Sequence, residues 1–449
     1  MPGSSKGNFS SIRSTMELST LSAVELFARG GLSKVPSPLK AFFEPLLKPN
    51  FLHLLIKSTR APRIALYGSA DSGKAELINT LKGKQGASIE EEINLFSAAL
   101  DYDNENRFLE FVLVDRPHEK AESTVVEQAI KYLLDKKVDL LLGVMPIGKS
   151  TFTQHDINFL LLLKENYLKR FGLELPIIFV LNTNDPSKID SNWDVPQELS
   201  TFLSSTYVSA CTTWKDEKSR FSNIEELVST IYETLPDLAK FGFATGTKLQ
   251  PVRLIASREL IWATALLAGA ICFIPAPGFD GVMLRSVQLH LVELIVRLGG
   301  RSADSEKKSS DFIHYLRPYG ISKKFSLFNN QVAKIAGPLG LPINLLNSAN
   351  YIGTTLAIGE AAIAYFIEGL AIEEAKDIFE KLDEETKEKF RKAFSRSRKE
   401  RNPNEVFLTF RALGDEFNSN TKRSYQKKEQ YDLASSGTSY IPIDILEDD

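Results

Sequence analysis

The chain has 449 residues, of which 43% are hydrophobic and 25% are charged, and its formal net charge is −3. This globular composition leaves room for two or three hydrophobic cores, and the charge lacks the strong positive excess of a nucleic-acid-binding protein. Two cysteines far apart and five scattered histidines argue against a disulfide framework and against a Cys- or His-based metal site. A reducing, cytoplasmic compartment is the expectation.

The first sixty residues divide into a tail and a helical extension. Residues 1–20 are rich in serine, contain no acidic residue before Glu17 and are not followed by an apolar signal core. We predict a flexible tail there, with a targeting peptide as the alternative. Residues 21–60 have the pattern of helices interrupted by prolines and are predicted as a helical extension.

Short apolar runs alternate with amphipathic helical runs over residues 61–240. Each apolar run has the length of a strand that flanking helices bury on both faces. The alternation predicts an α/β domain with a doubly wound parallel sheet. The apolar runs are RIALYG, LEFVLVD, VDLLLGVM and PIIFVLN.

Two stretches of this domain have the pattern of a phosphate-binding loop, in which a strand turns into a helix and backbone N–H groups converge on an anion. GSADSGKA at 68–75 has small residues through the turn, and Lys74 can reach the β- and γ-phosphates. GVMPIGKS at 143–150 satisfies the Walker A spacing, but Pro146 lacks an N–H and two β-branched residues stiffen the loop. We predict that the first loop binds phosphate. Its residues are Gly68, Ser69, Ala70, Asp71, Ser72, Gly73, Lys74 and Ala75.

Further motifs follow the first loop in a fixed order. LEFVLVD ends a strand in Asp115, IIFVLNTND ends another with Asn182 and Asp185 at NKxD spacing, and TYVSACT supplies Ser209 and Ala210 in place of a SAK element. This order and spacing resemble the Era-like (TRAFAC-class) GTPases. The resemblance implies that the P-loop GTPase-like domain binds GTP or GDP, with Mg²⁺ at Asp115 and with guanine selected by Asn182 and Asp185.

The second loop defines an alternative, an ATPase that uses Gly143–Ser150. In that case Lys149 would bind phosphate, ELPIIFVLNTND would be the Walker B strand, and Asp185 would be the Mg²⁺ residue. This interpretation leaves RIALYGSADSGK and the VLVD strand without a role. We therefore favour the first loop.

Several positions depart from the GTPase pattern. Ala75 lacks the hydroxyl that ligates Mg²⁺, His118 replaces the glycine of DxPG, Thr183 replaces the NKxD lysine, and no threonine lies between Thr80 and Thr124. Because phosphoryl transfer depends on positioning and charge neutralisation around Mg²⁺, we expect weak or no GTP hydrolysis and assign no catalytic residue. The alternative is a non-enzymatic adaptor, a pseudo-GTPase that serves as a platform for protein partners.

Residues 249–372 are predicted as a hydrophobic helical domain in which the polar stretch RSADSEKKSSD separates two helical blocks. An uncharged run at 260–274 is short for a membrane span, which needs about 20 residues, and a second uncharged run covers 335–359. From Gly353 onward, small residues recur every four positions, a spacing that lets helices approach closely in lipid or in a buried bundle. Both placements remain open.

Two segments of this helical part, IPAPGFDGVMLRSVQLHLVELIVRLGG and IGEAAIAYFIEG, resemble the YcjF-type domain of unknown function, which follows Era-like GTPase domains. The arrangement is also similar to the immunity-related and dynamin-like GTPases. These resemblances imply a cytoplasmic, membrane-associated protein with protein partners or self-association and with no nucleic acid. Residues 373–415 are predicted as charged amphipathic helices and 416–449 as a flexible tail.

Overall fold

A computed structural model describes the chain in separate stretches. The predicted tails at 1–20 and 416–449, as well as His118, Lys149 and Asp185, lie outside the described residues. The described residues are 22–35, 37–47, 60–82, 96–99, 109–116, 123–146, 153–183, 206–211, 224–247, 249–274, 280–300, 304–316, 341–400 and 408–413.

Six strands form one sheet. They are β1 (Arg63–Gly68), β2 (Phe96–Ala99), β3 (Glu110–Asp115), β4 (Leu140–Pro146), β5 (Ile177–Thr183) and β6 (Thr206–Cys211). The strand order is β2-β3-β1-β4-β5-β6, and every neighbouring pair is parallel except β2 and β3, which are antiparallel. The antiparallel strand was not predicted, because the four residues FSAA are too short and too weakly apolar to give a strand pattern.

Helices cover both faces of the sheet. The side chains of Ile64 and Leu66 face one hydrophobic core, and those of Ala65 and Tyr67 face the other, since successive side chains of a strand point to opposite faces. The predicted doubly wound α/β sheet, with helices on both faces, is therefore confirmed. The helices of this half are α2 (Lys74–Leu81), α3 (Ser123–Lys136), α4 (Gln154–Phe171), α5 (Ile224–Thr234) and α6 (Asp237–Gly246), and they follow α1 (Ser37–Phe43) of the N-terminal segment.

The C-terminal part is largely helical, as predicted. Its helices are α7 (Gln250–Ile271), α8 (Asp280–Leu298), α9 (Ser305–Leu316), α10 (Leu341–Phe366) and α11 (Ile372–Glu400), followed by a helical turn at 408–413. Helix α10 packs against both α7 and α11. Among the described residues, α7 alone is long and apolar enough to cross a membrane, and 72% of its most apolar window is buried inside the protein.

Small residues let these helices approach one another closely. A Cβ added at Gly359 of α10 would lie 2.4 Å from Ile261 of α7, and one at Gly353 would lie 2.6 Å from Thr386 of α11. The small-residue spacing seen in the sequence thus serves contacts between helices of the protein. Most apolar side chains of α7, and those described from Ala349 to Phe366 of α10, lie mainly in the hydrophobic core.

From Ser305 onward, the polar stretch between the two helical blocks forms a helix, α9, which was not predicted. Ser305, Ser309, Phe312 and Leu316 are its buried residues, and their spacing places them on one face. Two of the four are serines, so the stretch lacks the apolar periodicity that identifies an amphipathic helix from sequence.

The predicted helical extension packs on the C-terminal helices. The ring of Phe42 contacts those of Trp262 and Phe410, with centroids 5.7 and 5.4 Å apart, and Phe43 contacts Phe273 at 5.8 Å. Phe42 therefore contacts both α7 and the helical turn at 408–413. The helical turns that accompany α1 are Phe27–Gly31, Leu32–Lys34 and Glu44–Leu47.

Candidate functional site

The predicted site residues come together at one edge of the sheet, where the parallel strands end. Gly68 at the end of β1 is in register with Asp115 at the end of β3, and Asn182 of β5 is in register with Ala210 of β6, next to Ser209. The chain runs from β1 to β3 on one side and then to β4 on the other. The carboxyl ends at such a reversal form the crevice in which α/β sheets bind ligands.

The loop after β1 turns directly into α2. The N–H of Ser72 donates to the carbonyl of Ser69 at 3.1 Å, and α2 begins at Lys74 after a left-handed Gly73 with φ 81°. The N–H groups of the first helical turn have no carbonyl partner within a helix, and they carry the positive end of its dipole. The geometry is that of an anion-binding strand–loop–helix turn.

Both glycines of the loop are required by their surroundings. A Cβ on Gly68 would lie 2.4 Å from the carbonyl oxygen of Val144, because β4 passes close to the start of the loop. A Cβ on Gly73 would lie 2.1 Å from Nδ2 of Asn182, and the left-handed backbone there favours glycine independently. The spacing of the two glycines therefore reflects two separate close approaches.

The ammonium group of Lys74 lies at the centre of this edge. Its Nζ donates to the carbonyls of Gly68 at 3.0 Å and Ser69 at 2.6 Å, and it pairs with Oδ1 of Asp115 at 2.7 Å. The Lys74 side chain is 2% exposed and that of Asp115 is 19% exposed. Two of the three N–H donors of the ammonium are thus used by carbonyls of the loop, and its charge is paired with the Asp115 carboxylate.

Asn182, near the end of β5, holds the loop after β1 in place through hydrogen bonds. Its Nδ2 donates to the carbonyls of Ser72 at 3.0 Å and Gly73 at 3.4 Å, and the residue is 5% exposed. The Asn182 side chain, which is predicted to select guanine, thus also links the candidate phosphate loop to β5, the strand that precedes Asp185.

The Mg²⁺ that the resemblance implies is a poor match for the described residues. Asp115 supplies a carboxylate, but Ala75 presents a methyl group where a hydroxyl ligand is needed, and Asp115 is already paired with Lys74. No group of three His, Cys, Asp or Glu side chains with metal-ligand geometry occurs in the part of the chain that the structure describes. These residues do not fit a resident Mg²⁺.

The alternative loop at 143–150 begins with strand residues instead of a turn. Gly143 lies within β4, in register with Tyr67 of β1 and with Phe179 of β5, and the strand continues to Pro146. In a phosphate loop the first glycine must leave the strand, whereas this glycine and the three residues after it are strand residues. The geometry contradicts the ATPase interpretation.

A buried polar network borders the phosphate loop and was not predicted. Asp156 is 0% exposed, pairs with Nε of Arg116 at 2.8 Å and accepts a hydrogen bond of 2.7 Å from the hydroxyl of Tyr67. Thr153 and Asp156 also form a capping box at the start of α4. Burial, followed by the Asp156 charge, raises the pKa of Tyr67 well above its ordinary value, so its hydroxyl remains a donor.

The network adjoins the candidate phosphate site through the backbone of Arg116, whose N–H donates to the carbonyl of Gly68 at 3.0 Å. The residue directly after Asp115 is therefore held by both β1 and the start of α4. The pattern T-x-x-D before an apolar helix indicates a capping box in the sequence, but it does not indicate that Arg116 and Tyr67 share the same carboxylate.

Comparisons with known proteins add little to this geometry. Neither the protein-family models nor the curated proteins include a match to the chain. Similar solved structures include the FeoB G-domain from Methanococcus jannaschii, at 21% identity over 39% of this chain and 98% of that chain, with a TM-score of 0.25. A probable GTP-binding protein EngB has 16% identity over 38% and 97%, with a TM-score of 0.26. NFeoB from S. thermophilus bound to GDP.AlF4- and K+ has 17% identity over 72% and 99%, with a TM-score of 0.27. At such scores the fold assignment rests on strand order and register.

Proposed function

We propose that the sheet domain binds a guanine nucleotide through the loop at 68–74 and hydrolyses it weakly or not at all. The observation that carries the proposal is the position of Lys74, whose ammonium lies between the carbonyls of the loop and the carboxylate of Asp115. A terminal phosphate that replaces one of these oxygens would gain a charge-assisted hydrogen bond in a largely buried setting.

The proposal that the nucleotide is a guanine nucleotide rests on Asn182 and on Asp185, which follows it in the sequence. Asn182 is placed at the edge of the site and holds the loop. Asp185 follows at NKxD spacing, and a carboxylate there would accept the two N–H groups of guanine, a pattern that adenine does not offer. Asp185→Asn is therefore expected to weaken guanine-nucleotide binding without an equal loss of protein stability.

Weak hydrolysis follows from the groups that the site lacks. Ala75 has no hydroxyl for Mg²⁺, and the carboxylate of Asp115 is engaged by Lys74. Without these ligands, the charge that develops on the transferred phosphoryl group is poorly neutralised. Binding through Lys74 and the loop amides needs neither group.

The experiment is a titration of the full chain with a fluorescent GDP analogue, and with a fluorescent GTP analogue that cannot be hydrolysed. We expect Lys74→Ala to weaken binding roughly 10- to 100-fold, the value of a charged hydrogen bond. Lys149→Ala is the matched control and is expected to leave affinity within about twofold. Thermal unfolding of both variants separates lost binding from lost folding.

Two outcomes would reject the nucleotide proposal. A larger defect in Lys149→Ala than in Lys74→Ala, together with a preference for ATP, would favour the second loop. No binding by the wild-type chain at high micromolar nucleotide would favour the adaptor. That alternative has its own support, since the Lys74 ammonium already donates to two carbonyls and its charge is paired with Asp115.

A further inference from the structure

The ion pair between Lys74 and Asp115 engages the same ammonium group on which the proposed phosphate site depends. The Nζ of Lys74 lies 2.7 Å from Oδ1 of Asp115, and both side chains are largely buried. Such a pair is screened by salt much less than a pair on the surface. A bound phosphate therefore has to share the ammonium with a carboxylate that is already in contact with it.

Two neighbouring elements hold Asp115 in this contact. Asp115 is the last residue of β3 and is in register with Gly68, where the loop begins. The next residue, Arg116, donates its N–H to the Gly68 carbonyl at 3.0 Å, and its guanidinium pairs with the buried Asp156 at 2.8 Å. The carboxylate is thus fixed by the sheet and by α4, and it competes with a ligand at a high effective concentration.

The charges of the loop and of α2 also disfavour a highly anionic ligand. Residues 68–81 contain one basic residue, Lys74, and two acidic ones, Asp71 and Glu76. Glu76 lies in the first turn of α2, where an acidic side chain already interacts with the positive end of the helix dipole. Each further phosphate of a nucleotide adds negative charge to this site, so the repulsion from Asp115 grows with the number of phosphates.

The loop nevertheless contains a buried hydroxyl that a ligand would satisfy. Ser72 is 1% exposed, and its Oγ has no hydrogen-bond partner among the described residues. A Cβ on Gly68 would lie 2.8 Å from this Oγ, which places the hydroxyl beside the first residue of the loop. Because a buried polar group without a partner is unfavourable, the loop keeps a reason to bind an anion even though Asp115 is paired with Lys74.

We propose that Asp115 determines specificity by competing with the ligand for Lys74, so that the site prefers a nucleoside diphosphate to a triphosphate and gains no affinity from Mg²⁺. The inference rests on the proposed nucleotide function, and it makes Asp115 an internal anion instead of a metal ligand. A diphosphate uses the loop amides and the Ser72 hydroxyl while bringing less charge next to Asp115. The described residues do not supply the oxygen ligands with which Mg²⁺ would neutralise a third phosphate.

The test is a titration of the full chain with a fluorescent GDP analogue and with a fluorescent GTP analogue that cannot be hydrolysed, each in Mg²⁺ and in EDTA. We expect the wild type to bind the diphosphate at least about tenfold more tightly in both conditions. Asp115→Asn keeps the size of the side chain and removes its charge. It is expected to strengthen triphosphate binding at least about tenfold and to reduce the preference for the diphosphate to within about threefold.

Glu110→Gln is the matched control, because Glu110 is at the other end of β3, is also 19% exposed and is also ion-paired, with Arg63. It is expected to change both affinities by less than about twofold. Asp115→Ala is a second variant without the charge. In both Asp115 variants the buried Lys74 lacks its partner, so nucleotide is expected to raise their unfolding temperature more than that of the wild type.

The outcomes separate this inference from the nucleotide proposal. Weaker triphosphate binding by folded Asp115 variants, or a wild-type preference for the triphosphate that disappears in EDTA, would overturn the inference and leave nucleotide binding intact. Equal gains in Asp115→Asn and Glu110→Gln would also overturn it. No binding of either nucleotide to the wild type or to the Asp115 variants would instead reject the nucleotide proposal, and the inference with it. The wild-type preference is measurable whether or not the variants fold.

Discussion

The hydroxyl of Thr247 donates a hydrogen bond of 2.8 Å to the carbonyl oxygen of Leu81, the last residue of α2. Thr247 lies just before α7 and is 0% exposed, and its own carbonyl accepts from Nε of Arg253 at 2.9 Å. The helix that carries Lys74 at its beginning is thus capped at its end by a residue from the start of the helical half. One short helix links the candidate phosphate site to α7.

Thr247→Val tests the strength of this link. The substitution keeps the shape of the side chain but leaves the buried Leu81 carbonyl without its donor, which we expect to cost about 1–3 kcal/mol of unfolding free energy. Thr245→Val is the matched control, because the hydroxyl of Thr245 bonds the Phe241 carbonyl within its own helix, at 2.8 Å. Urea unfolding followed by tryptophan fluorescence measures both. Equal costs in the two variants would contradict a specific role for Thr247.

Most of the sheet could be predicted from sequence because four of the parallel strands, β1, β3, β4 and β5, are continuous apolar runs that alternate with helical patterns. RIALYG and PIIFVLN correspond directly to β1 and β5. The strand FSAA and the helix α9 were not predicted because they lack an apolar pattern. FSAA is short and small but pairs with β3, and two of the four buried residues of α9 are serines. Where tertiary contacts decide the local structure, the local sequence pattern does not predict it.

The candidate site could be predicted only as a set of residue types. The spacing of Gly68, Gly73 and Lys74 indicates a phosphate loop, and Asp115 follows from the end of the next parallel strand. What spacing cannot reveal is pairing between distant side chains. The ion pair of Lys74 with Asp115 and that of Arg116 with Asp156 each join residues about forty positions apart.

Ala75→Ser restores the hydroxyl that the phosphate loop lacks. We expect a roughly tenfold gain in nucleotide affinity that appears only with Mg²⁺, equivalent to about 1.4 kcal/mol, because the new ligand favours a bound metal next to the phosphates. Ala70→Ser adds the same hydroxyl elsewhere in the loop and serves as the control. The measurement is nucleotide titration with Mg²⁺ and with EDTA. A gain of the same size in EDTA, or in the control, would rule out a metal-dependent cause.

The Asp156 network predicts unequal costs for its members. Asp156→Asn removes a fully buried charge from Arg116 and is expected to cost about 3–5 kcal/mol of unfolding free energy. Tyr67→Phe removes one hydroxyl donor and is expected to cost about 0.5–1.5 kcal/mol. Because the Tyr67 hydroxyl donates to the same Asp156 carboxylate that Asp156→Asn changes, the double variant is expected to cost less than the sum. Chemical unfolding of the three variants checks this, and additive losses would show that the groups act separately.

Glu259 gives the helical half a pH-dependent stability. Burial raises the pKa of this α7 carboxyl above its ordinary value of 4.5, opposed by the hydrogen bond of 2.7 Å that it accepts from the hydroxyl of Tyr232. A raised native pKa means that the folded state holds the proton more tightly than the unfolded state. The associated stability is fully present below the unfolded pKa and is lost as the pH rises through the folded pKa.

Glu259→Gln removes this titration, while its amide oxygen can still accept from Tyr232. We expect the variant to lose less stability than the wild type as the pH rises from about 4.5 to 7. The matched control is Glu226→Gln, a change at an exposed position of α5, which is expected to follow the wild-type curve. Urea unfolding midpoints of the wild type and of both variants, measured across this pH range, test this expectation. If Glu259→Gln and the wild type lose stability in parallel, the pKa of Glu259 is the same in the folded and unfolded states, and its burial is offset by Tyr232 and its neighbours.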